Sequence, residues 1–207
     1  MIISSWNVNS VRARIENIKE YLKKYSPDIL MMQEIKAQDE NYPYEDFEKS
    51  NYQNYVFGQK SYNGVAIISK KKLDKIEKDI FKDKNKQSRI ITADLKHKSK
   101  TIKLINIYTP NGNPENDALF RLEIRKKLRE LLSLGFHDAY RYIHPDKEGY
   151  TFWDYTSGAW QKNNGMRIDH FLVSNSIINL VKDVKINKFP RGRQKPSDHT
   201  PIEIELT

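Results

Sequence analysis

The stretch Ile2–Lys36, IISSWNVNSVRARIENIKEYLKKYSPDILMMQEIK, decides the fold class. Ile2 to Val8 reads as a strand that ends in polar residues. Val11, Ile15, Ile18 and Leu22 then recur at the spacing of an amphipathic helix, and Ser10 is placed to cap it. Pro27 stops this region, and Asp28 to Gln33 is a second apolar strand ending at Glu34. A strand–helix–strand unit is the building block of an α/β layer.

Downstream the pattern changes. Tyr52 to Phe57, Gly64 to Ser69, Ser88 to Leu95 and Thr101 to Tyr108 are strand-like, with polar or glycine-containing links and no amphipathic helix between them. An antiparallel meander is expected. Pro110, Asn111, Gly112 and Pro114 make a sharp break. Leu119 to Leu132 is a helix with Ile124, Leu128, Leu131 and Leu132 on one face, and Gly135 ends it. A Tyr/Trp-rich loop region, a strand at Arg167 to Val173 and a last strand at Pro201 to Leu206 complete the chain. With no internal repeat and no linker, residues 1–207 are expected to form a single α/β (α+β) domain.

The chain has 207 residues, enough to bury a core without staples. It lacks cysteine, which excludes a disulfide scaffold, a thiolate zinc site and a cysteine nucleophile. No apolar run approaches the ~18 residues of a membrane span, so no membrane association is expected. The N-terminus has no cationic leader, which makes the cytoplasm the expected compartment. The net charge is +9, and Lys60 to Lys103 alone holds fourteen basic and five acidic residues. Arg191, Arg193 and Lys195 form a second basic cluster. Such asymmetry points to an anionic partner, nucleic acid being the commonest.

Polar residues recur where strands end. Asn7 and Asn9 follow the first strand and Glu34 ends the second. Tyr108, Asn111 and Asn113 follow the Ile-rich strand, Asp169 and His170 interrupt an apolar one, and Asp198 and His199 precede the last. Singly each reads as a turn, cap or surface residue. Together they mark the strand ends where α/β enzymes place their sites. Oxygen donors of this kind suit Mg²⁺ or Mn²⁺. A carboxylate beside an imidazole orients it or stabilises its cation.

Eight strings carry a resemblance: SWNVNSVRAR (Ser5–Arg14), DILMMQEIK (Asp28–Lys36), YNGVAIISK (Tyr62–Lys70), NIYTPNGN (Asn106–Asn113), LGFHDAYR (Leu134–Arg141), GYTFWDY (Gly149–Tyr155), MRIDHFLVS (Met166–Ser174) and KPSDHTPI (Lys195–Ile202). In content and order the chain resembles the exodeoxyribonuclease III family of the endonuclease/exonuclease/phosphatase superfamily. The resemblance implies a two-sheet, four-layer α/β sandwich. It implies a Mg²⁺-dependent (or Mn²⁺-dependent) hydrolase that acts on double-stranded DNA as a monomer, at abasic sites and 3′ ends.

It also implies roles. Glu34 would be the main metal ligand with Asn7 beside it, and Asp198 would be a metal-linked or leaving-group acid. Tyr108 would stand near the scissile phosphate, and Asp169 and His199 would form a hydrogen-bonded pair facing a phosphate oxygen. Arg12, Asn111, Phe152, Trp153 and Arg167 would contact the substrate, Phe152 and Trp153 as an aromatic wall around the abasic sugar. Arg12 and Arg167 would alternatively hold the site together, and Trp160 fits core packing as well as it fits the wall.

One departure bears on activity. The family carries a Gly-Asp-x-Asn string between the tyrosine strand and the helix before LGFHDAYR, and its Asp is thought to orient or deprotonate the attacking water. No such string occurs here, and Gly112 is followed within 22 residues by Leu134. One inner strand and one helix are therefore expected to be missing, roughly 30 residues by the size of a crossover unit. Asn116 and Asp117 are the nearby substitutes, and their place before a helix suits capping better. Three readings stay open: an impaired repair nuclease, a catalytically silent DNA-binding relative, and a phosphatase of the same superfamily.

Overall fold

Strand β1 (Ile2–Asn7) sends Ile3 and Ser5 to one face and Ser4 and Trp6 to the other, as a period of two requires. The computed structural model describes residues 1–78, 80, 85–109 and 118–207, the side chains of 118–125 excepted. Helix α1 (Ile15–Tyr25) buries Ile18, Tyr21 and Leu22. Each such side chain is worth about 1.5–3 kcal/mol on burial. Strand β2 (Ile29–Gln33) returns parallel to β1, so the expected strand–helix–strand unit is present. The helix begins a turn later than its apolar spacing suggests. Ser10 Oγ accepts from the Ala13 N–H at 3.4 Å and caps the preceding turn, while α1 itself has no side-chain cap.

Helix α2 (Tyr44–Glu48) leads into β3 (Gln53–Phe57) and β4 (Val65–Ser69). Strands β5 (Asp74–Lys78), β6 (Ile90–His97) and β7 (Lys100–Ile107) follow. Then come α3 (Ala118–Ser133), β8 (Phe136–Asp138), α4 (Ala139–Ile143), β9 (Leu172–Ser174), α5 (Asn175–Ile178), β10 (Val181–Ile186) and β11 (Ile202–Leu206). Gly135 closes α3 with a left-handed φ of +92°. No helix among the described residues is long and apolar enough to cross a membrane.

The expected meander divides between two sheets. β3 and β4 join a six-stranded sheet in the order β10-β11-β1-β2-β4-β3, whereas β5-β6-β7 form a second sheet and β8-β9 a third, two-stranded one. The cause lies in β4, where Ala66 and Ile68 pack on the α1 and α2 side and Val65 and Ile67 face β6 and β7. A strand buried on both faces belongs in the middle of the layers. The expected strand Arg167–Val173 is shortened to β9, because residues 166–169 bond instead to Thr151 and Phe152.

Two cores result, one between α1, α2 and the large sheet, the other between that sheet and the β6/β7 and β8/β9 layer. The outer face of β5-β6-β7 carries charged pairs. Lys103 reaches Glu77 at 3.0 Å and Asp94 at 3.2 Å, and Lys75 reaches Asp94 at 3.6 Å. Such exposed pairs contribute at most about 1 kcal/mol each. On β7, Ile105 and Ile107 point outward and are 47% exposed. Among the described residues, no strand pairs with the edge of β7 opposite β6.

Near the ends of β1, β2 and β7 the inner core turns polar. Gln33 Nε2 donates to Asn106 Oδ1 at 2.7 Å and to Ser5 Oγ at 3.0 Å, and Asn106 Nδ2 donates to the carbonyls of Met32 and Ala66, each at 2.9 Å. Replacing Asn106 with alanine removes these partners and leaves the Gln33 donor without one of its acceptors. Urea unfolding is expected to show a loss of about 1–3 kcal/mol.

Candidate active site

The parallel pairing of β1 with β2 places their C-terminal ends side by side, and antiparallel β11 begins at the same end. The backbone keeps pairing past the strands, with Ser10 N–H to Glu34 O at 2.7 Å and Val11 N–H to Ile35 O at 3.0 Å. Glu34 has a left-handed φ of +49°, and Asn9 one of +46°. Strand alternation would send Glu34 after Met32 into the helix-side core. The left-handed turn sends its carboxylate toward Asn7 on the other face instead. Backbone held in this region costs of order 1–3 kcal/mol and clusters at functional sites.

Asn7 Nδ2 donates to Glu34 Oε1 at 2.8 Å, and Lys36 Nζ lies 3.0 Å from Glu34 Oε2. Burial opposes the Glu34 charge, but the Asn7 amide and the Lys36 ammonium outweigh it and hold the carboxyl below its ordinary range. Lys36 Nζ also donates to Asn9 Oδ1 at 2.6 Å, and Asn9 Nδ2 donates to Asp198 Oδ1 at 3.1 Å. A chain of contacts thus links Glu34 through Lys36 and Asn9 to Asp198. Lys36 escaped the sequence reading of the site, and Asn9 was noted only as a strand-end residue. The EIK and NVN strings were the available signal.

His199 Nδ1 sits 2.8 Å from Asp169 Oδ2, as the resemblance implies, and its Nε2 lies 3.4 Å from Asn7 Nδ2. Burial disfavours the imidazolium, yet Asp169, with Asp198 and Glu34, raises its pKa overall. Tyr108 follows β7 from the second sheet. Burial, with the Glu34 carboxylate, pushes its hydroxyl well above the ordinary value and keeps it protonated. Glu34 and Asp198 both bear electrostatically on Tyr108 and His199.

The segment 151–153 binds the halves together. Thr151 Oγ1 accepts from the N–H groups of Ile168 and Asp169 at 3.2 and 3.1 Å, the Trp153 N–H donates to Asp198 O at 2.9 Å, and Thr200 N–H donates to Thr151 O at 2.8 Å. Phe152 stands edge-to-face with His199 at 5.0 Å. Trp153 is fully buried against Tyr150 and Trp160 and offers no surface to the site. Arg12 is exposed in the turn after β1. Asn111 lies outside the described residues.

Arg167 works as a tie. Its Nη1 is 2.6 Å from Asp138 Oδ2, which also lies 3.3 Å from His170 Nδ1. Asp138 caps α4 through the Arg141 N–H. This cluster, beside Asp169, was not apparent as a unit from the sequence.

The sequence profile of the Endonuclease/Exonuclease/phosphatase family matches residues 4–104 and 111–199. Exodeoxyribonuclease III of Haemophilus influenzae is 30% identical over 262 aligned positions, covering 98% of this chain and 98% of that protein. Among solved structures, a 3′ phosphatase from Neisseria bound to a product DNA hairpin superposes with a TM-score of 0.89 at 27% identity, covering 100% of this chain and 99% of that one. An AP endonuclease from Archaeoglobus fulgidus gives 0.87 at 26% identity, with 100% and 99% covered.

Burial works against the Asp138 charge, but His170 and Arg167 hold its pKa well below the usual value. A depressed carboxyl contributes stability that is present above its unfolded pKa of ~3.9 and is lost as pH falls through the folded value. Asp138→Asn is therefore expected to cost roughly 3 kcal/mol at neutral pH. In urea titrations the gap from the unaltered protein should narrow as pH falls below about 4.

Proposed function

Because the chain belongs to the endonuclease/exonuclease/phosphatase family, we propose that it is a DNA-repair nuclease of the exodeoxyribonuclease III type, with double-stranded DNA, abasic sites and 3′ ends as substrates. It is a phosphodiester hydrolase by family. The observation that carries the DNA reading is the convergence of Glu34, Asn7, Asp198 and the Asp169–His199 pair at one end of the sheets. The names of its relatives, an exodeoxyribonuclease, an AP endonuclease and a phosphatase bound to DNA, point the same way.

The donor set fits a hard divalent cation. Glu34 is held ionised by the Asn7 amide and the Lys36 ammonium, and its carboxylate is a hard oxygen donor. Among the described residues no cluster of three or more acids and histidines forms a dedicated cage. One or two carboxylates completed by water and phosphate is how Mg²⁺ is usually held. Glu34, with Asn7 and Asp198, would hold Mg²⁺ or Mn²⁺, which when bound supplies neutralisation of charge on the phosphate and the departing 3′-oxygen.

The chain's own groups do the rest. Tyr108, kept protonated, donates to a phosphate oxygen. His199, with Nδ1 toward Asp169, directs Nε2 to another. Asp198 stands beside the leaving group. Phe152 supports the imidazole from the side, and Arg12 meets the DNA backbone without reading sequence.

Water activation is the weak step in this reading. Glu34 is engaged by Asn7 and Lys36, Asp198 by Asn9 and Ser197, and Asp169 by His199. Each is already held by a neighbour, Asp198 through Oδ1 and Asp169 through Oδ2. The absence of Gly-Asp-x-Asn fits the edge of β7, which no strand joins among the described residues, and an alignment of 262 positions against a chain of 207 residues. An internal deletion that removed the base accounts for these features together.

Two outcomes are expected. Calorimetric titration with Mg²⁺ should give clearly weaker binding for Glu34→Gln than for the unaltered protein, and equal affinities would remove Glu34 as the ligand. In a cleavage assay on abasic duplex with Mg²⁺, turnover should be at least about 10²-fold below that of a relative carrying Gly-Asp-x-Asn, the lower end of what general acid–base assistance contributes. Equal rates would show that another group serves as base. DNA binding without any cleavage would favour the silent relative, and turnover of inositol phosphates instead of DNA would favour the phosphatase.

A further inference from the structure

Beside the site, the loop carrying Asp154 to Gln161 faces the loop of residues 189–196 across an open groove of about 370 Å³. That volume is at the small end of the roughly 300–1,000 Å³ of small-molecule sites, and suits one nucleotide rather than a duplex. Tyr155, which is 51% exposed, and Trp160 provide aromatic surface. Arg191 is only 6% exposed and has its guanidinium carbon 5.5 Å from the Tyr155 ring centre and 5.3 Å from that of Trp160. Its Nη2 donates to Trp153 O at 3.1 Å, while its buried Nε has no hydrogen-bond partner among the described residues. Arg193 adds a second guanidinium to the lining, its Nη2 held in an exposed 2.9 Å ion pair with Glu20. The one carboxylate present, Asp154, is already taken up by the Thr156 N–H and hydroxyl at 2.7 and 2.6 Å.

The groove is continuous with the site. The Tyr155 hydroxyl donates to Pro196 O at 2.8 Å and accepts from Arg14 at 3.1 Å, and Asn9, which reaches the same hydroxyl at 3.4 Å, also donates to Asp198. One wall of the groove is therefore also the rim of the carboxylate cluster. Aromatic faces accept any base, and guanidinium groups accept its phosphate.

We propose that this groove binds one unpaired nucleotide of the DNA strand adjoining the scissile phosphate, its base against Trp160 and Tyr155 and its phosphate exchanging for Glu20 at Arg193. The proposal rests on the nuclease reading and extends it to frayed or single-stranded flanks, a substrate feature that the carboxylate cluster does not itself select.

Fluorescence anisotropy in EDTA tests it with three labelled duplexes: one blunt, one with a short 3′ single-stranded extension and one with a short 5′ extension. One extended duplex is expected to bind about tenfold more tightly than the blunt one, the order that a single stacked base contributes. Trp160→Leu and Gln161→Glu should each remove most of that difference and leave blunt-duplex affinity unchanged. Trp160 packs edge-on against Trp153 at 4.8 Å, so Gln161→Glu, at an exposed position, decides the matter if Trp160→Leu does not fold. Equal binding of all three duplexes, or a preference that survives Gln161→Glu, overturns the proposal. If the unaltered protein binds none of the duplexes, the nuclease reading itself falls, and the groove proposal with it.

Discussion

Strand β1 is hydrogen-bonded in parallel to β2 on one side and antiparallel to β11 on the other, and the geometry of the site depends on that mixed pairing. A parallel neighbour ends where β1 ends, and an antiparallel neighbour begins there. Asn7, Glu34 and the Asp198–His199 pair are far apart in sequence, yet the register of one strand leaves them no other place to be. The ladder is deep in the molecule, with Trp6, Leu30, Met32 and Ile202 fully buried, so its position is fixed by both cores at once.

The second sheet enters this arrangement through few points. Asn106 pins β7 to β2 and β4 by side-chain bonds to their backbone carbonyls, and Tyr108 follows two residues later. On the opposite flank, Thr151 gathers two amide groups of residues 168–169, and the Asp138–Arg167 pair holds the same segment against α4. These contacts are buried and polar. Each is specific in direction in a way that apolar packing is not, and they orient Asp169 toward His199 although β9 itself is only three residues long. Replacing one partner of such a bond leaves the other without water or protein to meet it.

The strand–helix–strand opening and the inner strands were legible because apolar periodicity reports burial directly. The Asp169–His199 pair and the Asn7–Glu34 contact followed from a resemblance in motif order. Other features were not legible for physical reasons. β5 reads DKIEK, and its side chains answer to lysines and acids on neighbouring strands rather than to a core. The helix start after Ser10 was misplaced because a capped turn carries the same signal as a capped helix. Trp153 and Phe152 are adjacent in the chain and face opposite ways, so of the two only Phe152 lies beside His199. Lys36 and Asn9 acquire their part only through left-handed backbone, which periodicity does not register.

Charge is distributed unevenly around the site. Lysines on the outer sheet face, Lys75 and Lys103 among them, are matched by carboxylates, so they add little to an anion-attracting field. Arg12 is exposed and makes no ion pair among the described residues, and it lies in the turn that leads from Asn7 to α1. Arg191 lines the groove at the other rim and makes no ion pair among the described residues, whereas Arg193 beside it is matched by Glu20. The carboxylate cluster therefore sits between cationic flanks at one end of the large sheet. On the proposed reading, the groups that hold a phosphodiester survive together because the β1 ladder holds them, whereas a base on a strand beyond β7 has no such ladder to rely on. Substrate affinity and turnover then rest on different parts of the fold, and loss of one part leaves the other standing.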